Sequence, residues 1–263
     1  MKTRVLTAII ALMIFVPIVL LGGIFIEIGA IALGIVAMSE ILIMKKKLVV
    51  SPEAILSFLG VFLLIAPDKW FSGIFHSFLS VNFIFYVIVM LLLLRNVFTK
   101  NMFSFDDAGV ITLAMLYIGT GFHYFVETRN AGIAVLFYAL FIVWLTDSGA
   151  YIFGKQFGKN KLAPHVSPNK TWEGSICGSL LGTIVGTIWM CAFHIGNVSV
   201  VSAIIITLIL SVFGQLGDLV ESALKRYYQV KDSGKILPGH GGILDRFDSL
   251  LFVIPLLHVF GII

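Results

Sequence analysis

Apolar residues recur along this chain in long, almost unbroken runs, and polar residues collect in a few places between them. A helix needs about 20 mainly apolar residues to cross a bilayer. On that ruler the pattern predicts spans at 5–23, 24–44, 53–67, 78–94, 109–125, 133–153, 173–195, 200–228 and 243–263. The third is short enough to be re-entrant. The first opens Met-Lys-Thr-Arg, like a signal peptide. It lacks a small-x-small cleavage site and runs straight into a second span, so it reads as a retained helix. The expected fold is all-α: a polytopic transmembrane helical bundle of about nine spans with a cytoplasmic N-terminus. Residues 1–132 supply the N-terminal helices, and 133–263 the C-terminal helices with the long cytoplasmic loops, in one continuous membrane domain.

Composition agrees with a lipid setting. The chain is 59% hydrophobic and 12% charged, where soluble domains carry roughly 45–50% and about 25%. Nine spans with the N-terminus inside place 16 of the 18 Lys and Arg residues in the cytoplasm and leave only Lys69 and Arg129 outside. That asymmetry follows the positive-inside rule. The pI of 9.0 is then a consequence of topology, with some attraction to anionic membrane lipids, and does not call for nucleic acid. Cys177 and Cys191, 14 positions apart in one apolar run, would lie about 21 Å apart on a helix. They are too far apart to bridge and read as small core residues. Gly174, Gly178, Gly182 and Gly186 form a smooth stripe on the seventh span. It suits close helix packing within the chain or a homodimer seam.

Two cytoplasmic loops, 154–172 and 229–242, are long and rich in Gly, Pro, Lys and Asn, the usual setting of function. The eighth span, 200–228, would measure about 43 Å, so its last turns emerge from the lipid. There Asp218, Ser222 and Lys225 share one helix face. A carboxylate at that depth costs about 2.5–3.5 kcal/mol unless it meets protein, water or a cation; pairing with Lys225 or Arg226 would be the plain explanation. Asp245 and Asp248, one turn apart, open the last predicted helix. Either alone would be an ordinary helix-terminus partner. With Asp218 they make three hard oxygen donors at one depth, a set that suits Mg²⁺ completed by substrate phosphates. Lys225, Arg226, Lys231, Lys235 and Arg246 surround them and would neutralise phosphate oxygens. The intervening Pro238-Gly239-His240-Gly241-Gly242 offers bare backbone to a ligand. This combination points to phosphoryl or nucleotidyl transfer involving a lipid. Glu27 and Glu40 read as packed polar contacts, and His76, His123, His194 and His258 form no constellation.

The run Ser222-Ala-Leu-Lys225-Arg226, four residues, Lys231-Asp232, then Pro238-Gly-His240-Gly241-Gly242-Ile-Leu-Asp245-Arg246-Phe-Asp248 resembles the signature of phosphatidate cytidylyltransferases, also called CDP-diacylglycerol synthases. Asp147-Ser148-Gly149-Ala150-Tyr151 and Ser167-Pro168-Asn169-Lys170-Thr171-Trp172-Glu173-Gly174 are similar to the other region this family shares. The resemblance covers residues 144–248; the N-terminal half matches only as a series of apolar spans. It implies that CTP and phosphatidate condense to CDP-diacylglycerol and pyrophosphate with Mg²⁺, and it leaves room for a second cation. It also implies metal binding by Asp218, Asp245 and Asp248, and phosphate contact by Lys225, Arg226 and Lys231. Substrate binding would further involve Ser222, His240, Gly241, Gly242 and Arg246. In the upstream loop Lys155, Ser167, Asn169, Lys170 and Thr171 would hold the lipid head group or the nucleotide, with Asp147 beside them. The expected setting is a bacterial inner membrane, with the site facing the cytoplasm.

An ion-coupled transporter and another lipid-phosphate transferase are the alternatives. Against the first, charged groups gather on one face and no internal repeat is visible. Against the second, the Asp-x-x-Asp-Gly-x-x-Ala-Arg motif of CDP-alcohol phosphotransferases does not occur. A P-loop is absent too.

Overall fold

The structure, a computed structural model, describes residues 2–71 and 80–263. His76 and the first residues of the predicted fourth span lie outside them. The described helices are α1 (Lys2–Leu21), α2 (Gly23–Met44), α3 (Pro52–Ile65), α4 (Val81–Phe98), α5 (Phe105–Ala131), α6 (Ile133–Phe157), α7 (Trp172–Ala192), α8 (Val200–Tyr227), α9 (Leu244–Phe247) and α10 (Leu250–Val259). Among the described residues six of these, α2 and α4–α8, are long and apolar enough to cross a membrane; α1, α3 and α10 are apolar but shorter. The chain is an integral membrane protein built on helices.

Local chemistry sets the helix starts. Ser51 Oγ accepts from Ala54 N–H at 3.3 Å, with Pro52 at the first helical position of α3. Ser80 and Ser199 cap α4 and α8 in the same way, each accepting at 3.2 Å. Such caps satisfy backbone donors that no helix turn can reach. Gly132, at φ 146°, separates α5 from α6 with a conformation that side chains disfavour.

The chain divides into two compact units, Met1–Val126 with Ser233–Ile243, and Glu127–Asp232 with Leu244–Ile263. In the first unit Lys45 and Lys47 both pair with Asp107, at 2.9 and 2.7 Å. Glu27, fully buried, pairs with Lys69 and accepts from Trp70 Nε1 at 2.9 Å. It is the packed polar contact expected of it.

In the second unit α7 packs along α6, and the glycine stripe explains how. A Cβ at Gly174 would stand 2.6 Å from Ala150 O, and one at Gly178 would stand 2.8 Å from Ala150 N. A Cβ at Gly182 would crowd Thr146 and Ile142, and one at Gly186 would lie 2.6 Å from Thr207 Cγ2 of α8. The stripe is therefore filled from within the chain. Tyr138 Oη with Thr207 Oγ1, and Thr146 Oγ1 with Ser211 Oγ, each at 2.8 Å, link α6 to α8.

Three expectations need correction. The loop after α6 is not all irregular: α6 runs on to Phe157, and β1 (Lys161–Ala163) pairs antiparallel with β2 (Ser167–Thr171). The fold is thus helical with one small hairpin. The span predicted at 243–263 is not one helix. Asp248 Oδ1 accepts from the next backbone N–H, that of Ser249, at 2.7 Å. Residues 248 and 249 form a turn between α9 and α10. A side chain that bonds its neighbouring backbone competes with the helix ladder. Finally, Cys177 is half-buried and Cys191 exposed, so Cys191 is not a core residue.

Candidate active site

The last third of α8 carries its polar residues on the face that the sequence predicts. Ser222 Oγ donates to Asp218 Oδ1 at 3.2 Å, one turn earlier. Asp218 Oδ2 takes Lys170 Nζ of β2 at 2.7 Å. Its cationic partner therefore comes from the hairpin, not from Lys225 or Arg226 on its own helix. Lys225 instead donates to Asp245 Oδ1 of α9 at 2.6 Å and pairs with Glu221 one turn back. The Glu221 side chain is only 1% exposed. An ammonium held between two carboxyl groups cannot leave without stranding a buried acid.

Lys170, Asp218, Lys225 and Asp245 line a cavity of about 730 Å³, within the range of small-ligand sites. Of the residues expected at the site, Asp147, Lys155, Asn169, Lys170, Thr171, Asp218, Lys225, Asp245, Arg246 and Asp248 line it. Ser222 stands behind, holding Asp218. Thr171 also caps α7, its Oγ1 accepting from Gly174 N–H at 3.2 Å. Asp248 sits in the turn between α9 and α10. Burial, and next the negative charge of Asp218, push its carboxyl up to about 7.

Other expected residues are placed elsewhere. Ser167 and Lys231 are not part of the lining. Arg226, expected on phosphate, donates through Nε to Val166 O at 3.2 Å and through Nη1 to Val230 O at 3.3 Å. It braces the hairpin against the end of α8. His240, Gly241 and Gly242 belong to the first unit. There His240 N–H returns to Leu237 O at 2.8 Å, around Pro238 and Gly239, the latter at φ 79°. Proline second and a left-handed glycine third is the pattern of a type II turn. His240 Nδ1 is buried with no hydrogen-bond partner among the described residues.

Sequence reasoning missed Tyr151, Lys161, Gln215 and Asp232, which line the cavity, and Glu221, which holds Lys225. Gln215 is fixed by Ser179 Oγ, which accepts from its Nε2 at 2.7 Å. Glu221 was detectable: it stands four residues before Lys225, the spacing of a helical ion pair. Asp232 lay inside the motif itself.

Metal binding can be tested against the donor set. Among the described residues no three His, Cys, Asp or Glu side chains cluster closely enough to make a ready protein cage. Mg²⁺ seldom uses one; it takes one or two carboxylates and draws the rest of its shell from phosphates and water. The cavity lining holds five carboxyl groups, Asp147, Asp218, Asp232, Asp245 and Asp248, against five cations, Lys155, Lys161, Lys170, Lys225 and Arg246. Formally it is balanced. Carboxyl groups beside one another in such a lining fit the one or two carboxylates that Mg²⁺ takes.

A family model described as "Cytidylyltransferase family" matches residues 2–263. Two relatives carrying the name phosphatidate cytidylyltransferase are each 48% identical to the chain. That from Staphylococcus haemolyticus aligns over 98% of both sequences, and that from Bacillus subtilis over 98% of this chain and 96% of its own. A third of that name, from Staphylococcus saprophyticus, is 46% identical over 98% of both. With a match of this extent, the chain belongs to the cytidylyltransferase family.

Proposed function

We propose that this chain transfers the cytidylyl group of CTP to phosphatidate, giving CDP-diacylglycerol and pyrophosphate; its relatives carry the name phosphatidate cytidylyltransferase. The observation that carries the reading is a single cavity lined by Asp218, Asp245, Lys170 and Lys225 in a chain 48% identical to those enzymes over 98% of its length. A phosphate oxygen of phosphatidate attacks the α-phosphorus of CTP, and the bond from that phosphorus to the bridging oxygen of the β-phosphate breaks. The electron pair leaves with pyrophosphate.

A phosphate monoester, with a second pKa near 6, is already largely a dianion at neutral pH. The site then needs charge neutralisation and alignment more than a strong base. Lys170 and Lys225, which line the cavity, would meet phosphate oxygens, and Arg246 would add a planar fork for a second contact. Asp218, Asp245 and Asp248 would hold Mg²⁺, which when bound supplies charge neutralisation at the phosphates; a second cation has further carboxyl groups available. The transporter and other transferase alternatives have no comparable support.

We also place the site on the cytoplasmic side of a bacterial inner membrane, with nine apolar segments and the N-terminus inside. The 16-to-2 distribution of Lys and Arg supports this. With Cys177 and Cys191 replaced by alanine, a cysteine introduced at exposed Asn160 should react with an impermeant maleimide only after the cells are opened. Labelling of intact cells would overturn the orientation.

The reaction is tested with the purified chain in detergent micelles. Pyrophosphate should appear only when CTP, phosphatidate and Mg²⁺ are all present. Release without phosphatidate would refute the lipid acceptor.

A further inference from the structure

Glu40 lies in α2 at 3% exposure, and a carboxyl group so buried persists only where donors surround it. Its donors come from far along the sequence. Ser233 Oγ donates to Oε2 at 2.9 Å, and Ile243 N–H donates to Oε1 at 2.7 Å. Ser233 and Ile243 are the first and last residues of the loop that packs with the N-terminal helices. One carboxyl group therefore fastens both ends of that loop.

Two glycines make room for it. A Cβ at Gly234 would stand 2.6 Å from Oε1, and one at Gly242 would press closer still on the same atom. Neither position can carry a side chain without displacing the carboxyl. Between the two ends the loop holds its own shape through the turn at Pro238 and Gly239. Leu237 N–H donates to Gly241 O at 3.0 Å, and Thr7 Oγ1 donates to Pro238 O at 3.0 Å. The neighbours of the fastened ends belong to the cavity. Asp232 precedes Ser233 directly, Asp245 follows Ile243 by two residues, and both line the site.

We infer that Glu40 is a positioning residue: it clasps the two ends of loop 233–243 and so fixes where Asp232 and Asp245 stand. The inference rests on cytidylyl transfer being the reaction of the cavity. It gives an N-terminal helix a part in catalysis, although Glu40 itself contacts no substrate in this scheme. A displacement of about 1 Å in a positioned group can lower a rate about 10²-fold, so a clasp outside the cavity can still govern turnover.

Glu40→Leu tests this, because an apolar side chain of similar size accepts from neither Ile243 N–H nor the Ser233 hydroxyl. Two readouts are taken on each purified protein: kcat/KM for CTP, and the rate of tryptic cleavage at exposed Lys235. Glu40→Leu should lose about 10²-fold in kcat/KM and cleave about tenfold faster as the loop opens locally, with an unfolding midpoint near wild type. Glu40→Asp, which keeps both acceptor oxygens, should recover part of each. Ser233→Ala should give a milder form of both effects. The double variant should be no worse than Glu40→Leu alone, since the two side chains share one contact. Unchanged cleavage, unchanged kcat/KM, or losses that simply add would each overturn the clasp. If Glu40→Leu does not fold, Ser233→Ala and Gly242→Ala decide; wild-type values for both readouts in either one refute it. A wild-type chain without cytidylyl transfer would sink the proposed reaction instead, and the cleavage comparison would still judge the clasp.

Discussion

Asp245→Asn should reduce pyrophosphate release from CTP by at least 10²–10³-fold, about the loss seen when one preorganised electrostatic group is removed, while the helices remain folded. Asp245 lines the cavity and holds Lys225 at 2.6 Å, so on the proposed reading the substitution removes a metal donor and loosens a phosphate-binding cation together. Folding should survive because Lys225 keeps its second partner, Glu221, and no buried charge is left alone. Asp218→Asn should act similarly, since its carboxylate faces the same cavity and pairs with Lys170. Steady-state assays beside thermal unfolding in detergent separate the two effects. Full activity in either folded variant would reject the role given to these carboxylates.

Lys225→Ala should cost stability as well as rate. Lys225 sits between Glu221 and Asp245, its own side chain 13% exposed and theirs 1% and 5%. Removing one member of a buried pair costs about 3–5 kcal/mol, because an uncompensated charge stays behind. Adding Glu221→Gln should return part of that stability by removing one of the two stranded acids, Asp245 being the other. It should not return the rate, which needs the ammonium at the phosphates. Denaturation midpoints and kcat/KM for Lys225→Ala and the double variant make the comparison. Native stability in Lys225→Ala would deny the buried ion pair, and a recovered rate in the double variant would deny the lysine's part in catalysis.

Much of this molecule is legible along the chain because lipid leaves few choices. A run such as 24–44 has to be helical, since no water there can satisfy its backbone, and α2 spans Gly23–Met44. Boundaries are less legible where helices leave the apolar region. Lys155 and Gln156 look like loop residues, yet α6 carries them to Phe157, because emergent turns keep their backbone ladder whatever the side chains. The hairpin is hidden for a related reason. Ser-Pro-Asn-Lys-Thr shows no alternation of apolar and polar positions, so period two gives no signal. The break at Asp248 is hidden because no Gly or Pro stands between Gly242 and Pro255 to mark it.

At the site, spacing within α8 correctly brings Asp218 beside Ser222, and the acids of α8 and α9 do line one cavity. What spacing cannot give is the choice of partners. Lys170, 48 positions from Asp218, reaches it only because β2 folds back, and Arg226 turns outward to a backbone carbonyl. Along the chain, Gly241 and Gly242 suggest access for a ligand. In the fold the carboxyl group of Glu40 lies against Gly242, a contact between residues some 200 positions apart that no local pattern records.

The most direct measurement follows the phosphorus atoms of CTP in the purified chain with phosphatidate and Mg²⁺. Label at the α-position should enter the lipid phase, and label at the γ-position should leave as pyrophosphate in equal amount. Label from the α-position recovered as CMP, with none in lipid, would mean that the cavity hydrolyses CTP and does not join it to a lipid phosphate.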